Sequence, residues 1–301
     1  MDEQIEKIGI IYRLLSVKGI GTVQANKFLL KFQEMKNARS LEQEIPAFLN
    51  ETQIEEYKTT PNITADIKSK FPVSFICLTD SNYPAAIKNC LEMGSPTILS
   101  YIGNVELLKL KKIAFSGSRK VSDKGTTIAK DCVEQLVLED CVIVSGYAKG
   151  VDMITHYTAL QNKGNTIIIL PEGINFFSIK SDLKAVWDWD RVLVISEFKP
   201  TEKWMASRAM KRNETIIGMS DIVVVIEAGD TGGSLDAGEK TLSYRKPLFV
   251  PQYAVVPESA LGNSILLRKG AFPIKMSKET SKANLAKMFS IFSKPNKFLL
   301  F

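Results

Sequence analysis

"IAFSGSRKVSDKG", Ile113 to Gly125, passes from a short apolar run through small residues into cations where a helical pattern begins. Five more apolar runs follow it: "CVIVSG", "NTIIILP", "RVLVISE", "DIVVVIEA" and "PLFVPQ". They are rich in Val and Ile and barely alternate with polar residues. Strands buried on both faces of a helix-covered parallel sheet have this composition. From Phe71, where "FPVSFICLT" also reads as a strand, such runs alternate with helical stretches. The alternation predicts a doubly wound α/β domain with a mostly parallel sheet. In such sheets ligands sit outside the carboxyl ends of the strands.

Residues 1–70 read differently. "EKIGIIYRLLSVKGIGTVQANKFLLKF" carries apolar residues at helical spacing on both sides of Gly19-Ile20-Gly21. That is the pattern of a helix-hairpin-helix, whose exposed amides can hold a DNA phosphate. A plain tight turn in a small helical bundle is the alternative. "EQEIPAFLNETQIEEYKTTP" reads as short polar helices. The domain organisation expected is therefore a small helical domain over 1–70, an α/β domain over 71–275, and a basic tail over 276–301.

The chain has 301 residues, enough for one large or two smaller domains. It is 45% hydrophobic and 24% charged, with a formal charge of +6 and a pI of about 8.9. The surplus permits a polyanionic partner without requiring one. The four cysteines have no CxxC spacing, and a single histidine, His156, excludes a His-rich metal site. No metal and no cofactor are expected. The charged start "MDEQIEKIG" does not suit a secretory leader, and no apolar run is long enough to span a bilayer. The expectation is a reduced, cytoplasmic protein with no membrane association.

Three strands are expected to end in small-residue turns that lead into helices. "FSGSRKVSDKG" holds Gly117, Ser118 and Arg119; "VSGYAKGVD" holds Ser145, Gly146, Lys149 and Gly150; "EAGDTGGSLD" holds Gly233 and Ser234. Glycine lets the backbone approach a ligand, and helix N-termini offer unpaired amides to an anion. All three turns belong on one edge of a parallel sheet, which points to phosphate. Neither G-x-x-x-x-G-K-[ST] nor G-x-G-x-x-G is present in these turns, which disfavours a classical ATPase or dehydrogenase.

"WMASRAMKRNETIIGMSD" predicts a helix from about Met205 to Met219, with Met205, Ala209, Ile216 and Met219 as its apolar stripe. Arg212 falls inside that stripe, so it must reach a ligand anion or an internal acid such as Glu197 or Glu227. Asp152 and His156, at i and i+4, share a helix face, and Asp152 could fix the imidazole as a general base; an acid in the first helical turn beside a buried, satisfied histidine is the plainer reading. Asp236 and Glu239 near Gly232-Gly233 read as helix N-terminal acids.

Taken in order, these motifs resemble the DNA-processing protein A family, also called DprA or Smf, over about residues 71–271. "DSNYPAAIKNCLEMGSPTILSYIGNVELL", the Gly-Ser-Arg turn, "SGYAKGVDMITHYTAL", "TIIILPEGIN", "VISEF", "KRNETIIGMSDIVVVIEAGDTGGSL" and "GNSILLRKGA" carry the resemblance. It implies an extended Rossmann-like fold that binds single-stranded DNA, loads or protects it for a RecA-type recombinase in DNA uptake or recombination, and works as a homodimer. By position, Gly117, Ser118 and Arg119 would hold phosphates, with Ser145, Gly146, Lys149, Gly150, Gly233 and Ser234 along the same edge. Arg212 and Asn213 match the first two residues of the family's Arg-Asn-Arg. Many members also carry a small N-terminal helical domain.

Departures are present. Glu214 stands where the family has a second arginine, Asp236 and Glu239 stand where it is apolar or neutral, and Pro251-Gln252 replaces Pro-Gly. The C-terminal winged-helix-like domain that many members carry is not expected within these 301 residues. The expected function is a non-enzymatic single-strand binder. The alternative is a nucleotide sensor or a nucleotide N-glycosidase similar to the "lonely guy" proteins of the same superfamily, with Glu239 acting at the glycosidic bond, in a defence system for example. A third reading is an adaptor docking through its basic tail.

Overall fold

The computed structural model describes residues 2–35 and 40–292. Helices α1 (Asp2–Leu14), α2 (Thr22–Glu34), α3 (Leu41–Phe48) and α4 (Glu51–Thr59) open the chain. α3 and α4 start where the sequence signals them. Ser40 and Asn50 each accept the amide of the third helical residue, and Gln43 and Gln53 reach back to the cap, closing two capping boxes. There follow β1 (Ser74–Cys77), α5 (Ala85–Leu91), β2 (Ile98–Gly103), β3 (Lys112–Ser116), α6 (Asp123–Leu138), β4 (Val142–Ser145) and α7 (Val151–Gln161). The chain continues through β5 (Thr166–Ile169), α8 (Ser181–Lys184), β6 (Val192–Ser196), α9 (Ala206–Met219) and β7 (Ile222–Val225). It closes with α10 (Gly233–Ser243), β8 (Leu248–Pro251), α11 (Leu261–Arg268), β9 (Phe272–Ile274) and α12 (Ala286–Phe292).

These elements form two compact units. The first takes the described residues of 1–108, 169–180 and 193–219; the second takes those of 109–168, 181–192 and 220–301. In the first unit β2 pairs antiparallel with both β1 and β6. Apolar faces of α1 to α3 (Ile8, Ile11, Leu14, Phe28, Leu29, Ile45) share one core with Phe75, Cys77 and Ile98.

The second unit carries a parallel sheet in the order β5-β4-β3-β7-β8-β9. From β3 the chain steps one way to β4 and β5; from β7 it steps the other way to β8 and β9. The order therefore reverses between β3 and β7, where a doubly wound sheet opens a crevice at its carboxyl edge. Each of β4, β5, β7 and β8 is buried along its whole length, in keeping with their largely apolar sequences. Ile128, Val133 and Leu136 of α6 pack in a core with Ile113, Phe115, Val224 and Phe249.

Several details differ from the sequence reading. β2 and β9 were not among the runs read as strands. β2 carries Ser100 and Tyr101 in mid-run, and β9 is only three residues long and contains Pro273. Met205 lies just before α9 and is 51% exposed, so it is not part of that helix's buried stripe. Within the expected basic tail, Met276 bridges to Ala283, and Ala283, Leu285 and Met288 are buried in the second unit's core. The rest of that tail, 293–301, lies outside the described residues. Among the described residues no helix is long and apolar enough to cross a membrane.

Candidate phosphate-binding edge

The first two glycine turns of the second unit interlock. Gly150, with φ +80°, ends the β4–α7 turn so close to the β3–α6 turn that a Cβ would sit 2.3 Å from the Ser118 carbonyl oxygen. Gly117 makes the reciprocal approach, where a Cβ would lie 2.5 Å from Cγ2 of Val151. The Val151 amide donates to the Ser118 carbonyl at 3.3 Å. Gly117, Ser118, Arg119, Lys149 and Gly150 are thus brought together on one edge. The Ser118 hydroxyl accepts the Lys120 amide at 3.0 Å, which tightens the turn behind Arg119. Arg119 and Lys149 are exposed and form no ion pair with another described residue.

Groups beneath this edge hold it in shape. Ser145 is fully buried and donates its hydroxyl to the Phe115 carbonyl at 2.7 Å, bracing β4 against β3. Asp152 accepts the Ala148 amide at 3.1 Å. His156, also fully buried, places Nε2 2.6 Å from the Gly146 carbonyl and Nδ1 2.6 Å from the Thr166 hydroxyl. A carbonyl can only accept, so Nε2 carries the proton. Asp152 and His156 share a helix, and these hydrogen bonds hold the backbone of the same turn.

The third turn is organised by Glu227, just beyond β7 and fully buried. Oε2 accepts the Ser122 amide at 2.9 Å and the Ser259 hydroxyl at 2.6 Å; Oε1 accepts the Tyr253 hydroxyl at 3.0 Å and the Ser122 hydroxyl. A buried carboxylate is tolerable because donors surround it. Burial, and then the adjacent Glu227 carboxylate, push the Tyr253 hydroxyl above its ordinary range. Gly125 gives the carboxylate room, since a Cβ there would lie 2.4 Å from Oε1. Asn263 completes the brace, donating to the Ile226 and Pro251 carbonyls at 3.0 and 3.2 Å and accepting the Ala228 amide at 2.9 Å. Gly232, with φ +97°, leads into Gly233 and Ser234, both partly exposed at the start of α10. The acids beyond are engaged: Asp236 pairs with Lys240 at 3.3 Å and Glu239 with Lys269.

Glu227 entered the sequence reading only as one conceivable partner for Arg212, and Asn263 only within a closing motif. The available signal was an acid ending a strand of four consecutive aliphatic residues. Such a carboxylate has to find several donors, and sequence does not say where they are.

In the first unit, Arg212 on α9 is 6% exposed and donates from Nη1 to the Ile169 carbonyl at 3.3 Å. Asn213 beside it is partly exposed. Glu197 accepts the Thr215 hydroxyl at 2.7 Å, and burial raises its carboxyl above the usual range. Glu214 pairs with Lys211 at 3.0 Å. In the Gly19-Ile20-Gly21 hairpin, Gly19 has φ +83°, and the Lys18 amide already donates to the Glu56 carboxylate at 3.1 Å. An internal anion therefore occupies the amide just before the turn read as a phosphate holder, and the Ile20 amide within it donates to the Val17 carbonyl at 3.0 Å.

Comparison with known proteins adds four findings. A family model described as DNA recombination-mediator protein A matches residues 74–284. DNA processing protein DprA of Streptococcus pneumoniae is 35% identical over 204 residues, covering 67% of this chain and 70% of that protein. The X-ray structure of that streptococcal protein superposes with a TM-score of 0.74 at 29% identity, covering 88% of this chain and 93% of that one. A structure of DNA processing protein A from Helicobacter pylori, described by its single-stranded DNA binding mode, gives a TM-score of 0.59 at 29% identity, covering 68% and 92%.

Proposed function

The chain belongs to the DNA recombination-mediator protein A family, and on that premise we propose that its interlocked turns hold the phosphates of single-stranded DNA. The observation that carries the reading is the close approach of Gly150 to Ser118, which brings Arg119 and Lys149 onto one edge, neither ion-paired with another described residue. Two unpaired cations on an edge of glycine turns suit a polyanionic backbone. Gly233 and Ser234 at the start of α10 extend the same chemistry. Arg212 and Asn213, which match the family's Arg-Asn pattern, are proposed separately as phosphate-binding residues of the first unit.

The action proposed is binding rather than catalysis. Glu239, the one residue put forward for glycosidic cleavage, is tied to Lys269, and Asp236 to Lys240. We further propose that a homodimer passes the strand to a RecA-type recombinase. The deciding experiment is a salt-titrated anisotropy comparison of oligo-dT, duplex DNA and free nucleotides. Oligo-dT should bind most tightly, with affinity falling steeply as salt displaces the contacts. No binding of oligo-dT at low salt would end the proposal.

A further inference from the structure

A cavity of about 690 Å³ opens between the first turns of α6 and the segments that follow β8 and β9. Ile128, Tyr253 and Met276 give it an apolar body, and Gln252 adds a carboxamide. Lys124 and Lys275 line it from exposed positions, and neither is ion-paired with another described residue. The volume lies in the range that encloses a small ligand.

Tyr253 is locked in place. Its hydroxyl donates to Glu227, which also takes the amide and hydroxyl of Ser122, the residue that ends the Gly-Ser-Arg turn. One wall of the cavity is thereby tied to the phosphate-binding edge through a single carboxylate. A ring already immobilised loses little entropy when a planar group stacks on it. Asp123 also lines the cavity, so the two unpaired lysines leave one net positive charge for an anion beside that planar group, and the carboxamide offers both a donor and an acceptor to its edge.

We infer that this cavity binds a nucleotide, with its base in the apolar body beside Tyr253 and its phosphate between Lys124 and Lys275. The inference rests on the proposed DNA binding where the nucleotide belongs to a bound strand. A free mononucleotide has the same chemistry and is the other source.

Two variants of the full chain test it: Ala254→Trp, which fills the cavity from an exposed position in its wall, and Lys275→Glu, which reverses one charge. Each is compared with wild type for binding of oligo-dT, of an abasic strand of equal length, and of free dAMP, after its thermal midpoint has been checked. If the base comes from the strand, wild type favours oligo-dT over the abasic strand by roughly tenfold and both variants lose that preference. If it comes from solution, wild type binds dAMP and both variants do not. Unchanged values in both assays overturn the inference. A wild type that binds neither strand removes the DNA reading instead, and loss or retention of dAMP binding in the variants then decides the cavity alone.

Discussion

Replacing Gly150 with alanine tests the joint between the first two turns. Gly150 has φ +80° and ψ −131°, a region that costs an L-residue roughly 1–3 kcal/mol. The added Cβ would also start 2.3 Å from the Ser118 carbonyl oxygen and 2.7 Å from the Arg119 Cα. Ordinary contact needs the β3–α6 backbone to retreat by about 1 Å, weakening the Val151–Ser118 hydrogen bond at a further cost of about 1 kcal/mol. A total of about 2–4 kcal/mol corresponds to a fall in thermal midpoint of roughly 5–10 °C. The same shift displaces Arg119, so affinity for oligo-dT should fall about tenfold or more while far-UV circular dichroism is unchanged. Gly232→Ala is the control: φ there is +97°, but a Cβ would meet nothing within 4 Å, so it bears the strain without the collision. A Gly150→Ala protein that melts and binds like wild type, or no worse than Gly232→Ala, would refute the interlock.

Three further outcomes are expected. Arg119→Ala should weaken binding to all single-stranded sequences about equally and reduce the slope of log K against log salt by about 1; a sequence-dependent loss would exclude a phosphate contact. Glu227→Gln exchanges one acceptor oxygen for a donor NH₂ among four donated hydrogen bonds, and should destabilise the chain by about 2–4 kcal/mol in a calorimetric melt, with an unchanged melt counting against the network. Glu197 has a carboxyl raised by burial, so its protonated form is favoured in the folded state. Its contribution to stability is present at acid pH and is lost as pH rises from the usual carboxylate value through the raised one. Glu197→Gln should therefore raise the thermal midpoint more at pH 8 than at pH 5, and an equal shift at both would contradict the stated cause.

The parallel sheet was readable because burial on both faces selects short, mostly apolar runs. β3, β4, β5, β7 and β8 all fall in such runs, and the glycine turns at their ends stand out as local breaks. β2 and β9 escaped for the converse reason: a polar pair in one, and a proline in three residues in the other, leave no local pattern. Capping boxes at Ser40 and Asn50 involve contacts four residues apart or less and are plain in the chain.

The identity of the turn residues and their placement at strand ends follow from short-range chemistry, since glycine, serine and buried aliphatics each impose a local conformational choice. Which turns interlock does not. Gly150 meets Ser118 only after β3 and β4 pair, and Glu227 gathers Ser122, Tyr253 and Ser259 from positions up to 105 residues away. Sequence marked Arg212 as an expensive cation within an apolar stripe; only folding placed its guanidinium against the Ile169 carbonyl. The difference is one of range. Propensity and patterning act within a few residues, whereas the partners of a buried charge are chosen by the packing of the whole sheet.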